Sequence, residues 1–224
     1  MVVLATKLYV DGDARDRSLD SLRSLVQNDI GELDVEFTLG VRHDDFPSVT
    51  IEGEDAVVAR NVLREEWGEI LPDLEAGKTA VGTLEQWDED GFILDAGQPV
   101  RIPTDELGLG PGNPAQIRER FGLVQHLPMS FVYGGEDEPS RLSEAERDRL
   151  FEWTRGDGRL NVNSATRAEV RATLNRAGHA QDYVTVERLG LLEQSVVCTE
   201  DTDPPGLLAS IGSYLPAELR CVVP

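Results

Sequence analysis

The sequence predicts an α+β protein in which two α+β units stand on either side of a small β-barrel. Two observations carry that prediction. Hydrophobic periods run strand–helix–strand–strand–helix near the N-terminus and strand–helix–strand–strand–helix–strand near the C-terminus. Between them lie short alternating runs split by glycine turns. The linkers LPDLEAGK and GGEDEPS divide the chain into residues 1–76, 77–140 and 141–224.

In the first unit, VVLATKLYV reads as a strand, and Leu19, Leu22, Leu25, Val26 and Ile30 recur at helical spacing up to a C-capping Gly31. Val35, Phe37, Leu39 and Val41 alternate as a strand does, Val49–Gly53 follows as another, and Glu54–Ile70 returns to the helical period through Val57, Val58 and Val62. The middle unit places strands at Val81–Leu84, Asp90–Asp95 and Val100–Pro103, then a short helix and a last strand before Tyr133. In the third, Ser143 with Glu146 three residues on reads as a capping box opening a helix that ends near Gly156. Strand Arg159–Asn163, helix Ala165–Ala177, strands Asp182–Arg188 and Leu191–Cys198, helix Pro205–Leu215 and strand Leu219–Val223 complete it. That βαββαβ order is the order of a ferredoxin-like sandwich, and the first unit repeats it without the final strand. The expected architecture is thus ferredoxin-like α+β domains flanking a small OB-like β-barrel.

The 42 acidic residues outnumber the 21 basic ones, and only Lys7 and Lys78 are lysines. Acidity combined with the replacement of lysine by arginine reads as adaptation to a salt-rich cytosol, where carboxylates keep the chain hydrated and self-repulsion is screened. At 1 M salt the Debye length is ~3 Å, so binding of nucleic acid there must rest on stacking and close arginine contacts. No run is long enough to span a membrane and the first residues lack a secretory pattern, which predicts a cytoplasmic protein. Cys198 and Cys221 sit in apolar runs without ligand spacing and read as buried thiols, not as a disulfide or a metal site. Gly108, Gly110 and Gly112 lack the spacing of a phosphate loop. None of His43, His126 and His179 stands in a context that suggests activation, so neither catalysis nor a cofactor is expected.

In the middle unit, Gly82, the Gly91-Phe92-Ile93-Leu94 run and Ile102…Leu107 resemble the S-one type of OB-fold RNA-binding domain. Pro103 and Asp105 stand where that family has a histidine and a serine. The resemblance implies Phe92 as a stacking platform for a base. Trp87 and Arg101 would extend it, and Arg118 and Arg120 would lengthen the groove. From Arg141 to Arg188 nine arginines face eight acids, a local reversal of charge, and Arg167 and Arg171 share a helix face suited to phosphates. Over most of its length, through GFILDAG…VRIPTDELGLGPGNP…QIRERFGLVQHLP and LGLLEQSVVCTEDTDPPGLLASIG, the chain resembles haloarchaeal members of the archaeal family known as domain of unknown function 2110. The reading that follows is a non-catalytic RNA-binding protein of the translation or transcription apparatus. The alternative is a protein-interaction or small-ligand-sensing module.

Overall fold

The computed structural model describes residues 1–224, which form six α-helices and three antiparallel sheets. The first unit comprises β1 (Val2–Val3), α1 (Gly12–Ile30), β2 (Val35–Val41), β3 (Pro47–Gly53) and α2 (Ala56–Trp67). Its sheet runs β1–β3–β2, and beyond α2 the chain returns beside β1, where Glu69 bridges Leu4 and the Ile70 amide donates to the Val3 carbonyl. Helix α1 buries Leu22, Val26 and Ile30 at the four-residue spacing of one face. Gly31 caps it with φ −70°, so the left-handed cap expected there does not form.

Two expectations shift for physical reasons. The first strand stops at Val3, because Thr6, Lys7 and Tyr9 turn their side chains to partners in the other two units. Helix α2 is rotated from its expected phase: Val57 and Val58 are exposed, while Ala59, Leu63 and Trp67 are buried. Trp67 sets that phase, since its indole N–H donates to Asp29 on α1 at 2.9 Å.

The middle unit holds β4 (Thr79–Asp88), β5 (Gly91–Asp95), β6 (Pro99–Pro103), α3 (Pro114–Arg120), β7 (Pro128–Val132), β8 (Arg141–Leu142) and α4 (Glu144–Trp153). Its five strands, in the order β6–β5–β4–β7–β8, curl into a half-barrel. Leu84, Phe92, Leu94, Ile102, Met129 and Phe131 fill the concave side, and α3 and α4 cover it with Ile117, Phe121, Leu150 and Trp153. Strand β8 and helix α4 therefore complete the barrel unit, with Leu142, Leu150 and Trp153 in its core. GGEDEPS is no hinge but the β7–β8 connection, stitched by a hydrogen bond from the Gly134 amide to Ser140. At the β4–β5 turn, Gly91 has φ +154° and a Cβ there would overlap the Ile102 carbonyl oxygen. Gly91→Ala is expected to destabilise the protein by about 1–3 kcal/mol, read as a lower Tm in thermal unfolding. An unchanged Tm would mean that the turn relaxes without cost.

The last unit contains β9 (Arg159–Val162), α5 (Arg167–Arg176), β10 (Tyr183–Arg188), β11 (Gln194–Cys198), α6 (Pro204–Ile211) and β12 (Leu219–Val222). Its sheet runs β10–β11–β9–β12 and is antiparallel throughout. Thr166 and Glu169 form a capping box on α5, and Asp203 caps α6 ahead of Pro204. Both cysteines are free thiols, and burial pushes that of Cys198 up to about 11. No helix is long and apolar enough to cross a membrane.

A polar network joins the three units. Lys7 Nζ bonds Asp95 at 2.7 Å and lies 3.2 Å from Glu85, which in turn meets His126 Nδ1 at 3.1 Å. Burial lowers the proton affinity of Lys7, but its bonds to Asp95 and Glu85 outweigh this and leave its pKa raised. The His126 ring stacks on Tyr9 at 3.9 Å, and the Tyr9 hydroxyl accepts from the Ser164 amide and donates to Glu193 at 2.7 Å. Gly190 lies so close that a Cβ would overlap Glu193 Oε2.

Candidate nucleic-acid interface

The barrel does not offer the predicted stacking surface. Phe92 is fully buried, paired across strands with Trp87 and Ile102 on the concave side, so it cannot stack on a base. Trp87 is half-buried and its face is taken by the Arg118 guanidinium, 3.5 Å from the ring centroid. Arg118 is itself buried and ion-paired to Glu218, which ties the barrel to the last unit. Arg120 donates to the carbonyls of Leu109 and Pro111, pinning the loop before α3. Arg101 does lie exposed on the outer face, but both of its terminal nitrogens bind Asp88 at 2.7 Å, and these bonds hold the Asp88 carboxyl down at about 2. Beside it that face presents Ile93, not an aromatic ring.

The arginine-rich stretch behaves differently. Arg167 and Arg171 lie one turn apart on α5, both exposed. Three more arginines join them: Arg159 from β9 and Arg149 from α4, which the sequence groups with Arg167 and Arg171 in one phosphate-suited cluster, and Arg188 from β10, which it does not single out. Two clefts meet here, sharing Arg167 and Arg188. One, of about 540 Å³, lies between α1 and α5, and the other, of about 680 Å³, lies between α4 and β10. Arg149, Arg159 and Arg188 pair with Glu146, Glu187 and Glu66, whereas Arg167 and Arg171 pair with none. Arg188 also stacks on Trp67 at 3.9 Å, and Arg149 and Arg159 flank Trp153 at 5.2 and 5.6 Å. Burial lowers the Arg188 pKa while Asp29 and Glu66 oppose it, and a guanidinium so placed stays charged. Ion pairs and aromatic faces thus fix three of the five guanidinium groups, and the other two are left open to solvent, Arg167 where the clefts meet and Arg171 in the α1–α5 cleft. The signal for this was present in the sequence as the charge reversal. The convergence of α4, α5, β9 and β10 was not.

One further arrangement has the connectivity of a nucleophile relay. His179 Nδ1 lies 2.6 Å from Asp182, and its Nε2 lies 2.6 Å from the Ser210 hydroxyl. Ser210 sits in the last turn of α6, where its amide serves the helix, and the adjoining hollow is bordered by Asp201 and Asp203. Carboxylates beside a developing oxyanion oppose acyl transfer. No group of three or more His, Cys, Asp or Glu side chains is placed to hold a metal ion.

Three family models match the chain in succession: the DUF2110 N-terminal domain over residues 1–73, the DUF2110 central domain over 74–154 and the DUF2110 C-terminal domain over 157–223. The border at 154–157 falls where the packing of α4 places it. No curated protein matches the chain.

Proposed function

The chain belongs to the DUF2110 family, and from the geometry of its arginine-lined groove we propose that it binds single-stranded RNA there without catalysis. The observation that carries this is the exposed, unpaired state of Arg167, where two clefts meet, and of Arg171 one turn away in the α1–α5 cleft, in a chain of net charge −21. Carboxylates outnumber arginines in this chain, yet of the five arginines lining the groove these two have no ion pair. Guanidinium groups fork onto phosphate oxygens and stack on bases, so one side chain serves both contacts.

We infer that the half-barrel is OB-like. The order β6–β5–β4–β7–β8 is that of an OB barrel opened between its third and fifth strands, and α3 lies between the third and fourth strands as in that fold. The antiparallel order β10–β11–β9–β12, with a helix after its first and third strands in sequence, supports a ferredoxin-like reading of the last unit. The concave face of the barrel gives no support to a stacking contact, because Phe92 is core and Trp87 is covered by Arg118. A protein-docking role has less behind it, since the exposed apolar residues Val57, Val58 and Val184 are the scatter normal on any surface.

The test is fluorescence anisotropy with a labelled single-stranded RNA, titrated at several KCl concentrations. Arg167→Ala/Arg171→Ala is expected to weaken binding about tenfold or more and to reduce the slope of log K against log salt by about 0.7 for each phosphate no longer neutralised. Equal affinity and slope in the wild type and the double variant would overturn the proposal.

A further inference from the structure

The cleft between α1 and α5 has features that a groove tracking an RNA backbone does not need. Its volume of about 540 Å³ lies in the ~300–1,000 Å³ range of small-molecule sites. Arg167, Arg171 and Arg188 border it, and Leu25 and Leu191 form apolar walls. Its floor includes Gln194, which is fully buried. The Gln194 amide Nε2 is committed to the carbonyls of Ala165 and Leu191, and its Oε1 has no partner. The Arg188 nitrogen Nη1 is likewise buried and unpartnered. Buried polar atoms without partners are costly, and two of them belong to residues that line this cleft. Asp29, the one carboxylate lining the cleft, accepts from the Trp67 indole and offsets part of the Arg188 charge, which leaves Arg167 and Arg171 as the cations open to an anion.

Cations gathered at one point, apolar walls and a buried acceptor match the parts of a nucleotide: a phosphate, a ring and a donor on base or ribose. We propose that the α1–α5 cleft seats a single nucleotide bearing a phosphate monoester, either free or at the phosphorylated end of an RNA chain. A monoester carries close to two negative charges and three exposed oxygens, against one charge and two oxygens in a chain-internal diester, so clustered arginines favour it. The chain-end case rests on the RNA reading above; the free-nucleotide case does not.

The experiment compares adenosine with adenosine 5′-monophosphate by calorimetric titration. It also compares single-stranded RNA oligonucleotides carrying 5′-phosphate, 3′-phosphate or only hydroxyl ends, by anisotropy. Phosphate-bearing ligands are expected to bind at least about tenfold more tightly than their hydroxyl counterparts. Arg167→Ala/Arg171→Ala should abolish that preference. So should Ala168→Trp, which fills the cleft from an exposed helix position and keeps every arginine. If RNA binds regardless of its ends and Ala168→Trp changes nothing, the nucleotide seat is wrong and the RNA reading stands. If the monophosphate binds and is displaced by Ala168→Trp while no RNA binds, the RNA reading is wrong and the seat stands. Failure of every phosphate-bearing ligand to outbind its counterpart overturns the proposal outright.

Discussion

Phe92→Ala is expected to lower the free energy of unfolding by about 3–5 kcal/mol while leaving the RNA affinity of the remaining folded protein unchanged. Phe92 is fully buried at the centre of the half-barrel, flanked across strands by Trp87 and Ile102. Truncating it removes its transfer free energy and leaves a void that a curled, helix-covered sheet cannot collapse to fill. In urea the midpoint should fall with the slope unchanged, the mark of reduced stability in an otherwise two-state protein. Were Phe92 a stacking platform facing solvent, the pattern would reverse, with stability nearly intact and RNA binding reduced by ~1–3 kcal/mol. The two outcomes separate cleanly because one is read in unfolding and the other in binding.

That contrast also locates where the sequence was legible. Phe92 and Leu94 share one parity on β5, with Ile93 on the other, so alternation alone puts the larger apolar pair inward. The resemblance to RNA-binding barrels pulled Phe92 outward against its own strand. Helix α1 was readable because its apolar face repeats over five turns. Helix α2 was misphased because Val57 and Val58 stand beside a weaker line of Ala59, Leu63 and Trp67, whose burial depends on Asp29 and Arg188 from distant segments. Local charge alone names Arg167 and Arg171 as candidates. Arg149 and Arg159 are legible as members of the same arginine-rich stretch, but the groove that brings them and Arg188 beside Arg167 forms only through packing of α4, β9 and β10, which no sequence spacing encodes. The junction network of Lys7, Tyr9, His126 and Glu193 was hidden for the same reason: its members come from all three units and each, alone, reads as ordinary.

Glu193 in that junction should make the protein lose stability as the pH rises from about 4.5 to about 8, and Glu193→Gln should remove the loss. The residue is fully buried, and burial raises its carboxyl to about 8 against the ordinary 4.5, the Tyr9 hydrogen bond opposing the shift only in part. Its Oε1 accepts from Tyr9 and its Oε2 has no partner, so the native state keeps a proton that the unfolded chain releases above about 4.5. Between those two values the native state binds more protons, and stability falls with rising pH until it levels above about 8. Each tenfold change in proton affinity costs ~1.4 kcal/mol, so ionising this group in place costs several kcal/mol. The groups that face it hold their charge states over much of that range. Tyr9 is pushed well above the ordinary phenol range by burial and by the Glu193 charge. Burial raises Glu85, but its hydrogen bonds to His126 and Thr83 outweigh this and hold it low. Lys7 stays protonated on Asp95. Glutamine copies the shape of the protonated acid and keeps the acceptor for Tyr9, so the variant should match the wild type near pH 5 and exceed it at pH 9. Urea unfolding at pH 5, 7 and 9 measures both curves. His126 and every other titrating group are common to both proteins, so the difference between the curves isolates Glu193. Parallel curves would mean that Glu193 reaches water in the native state, and that the three units are not sealed around it.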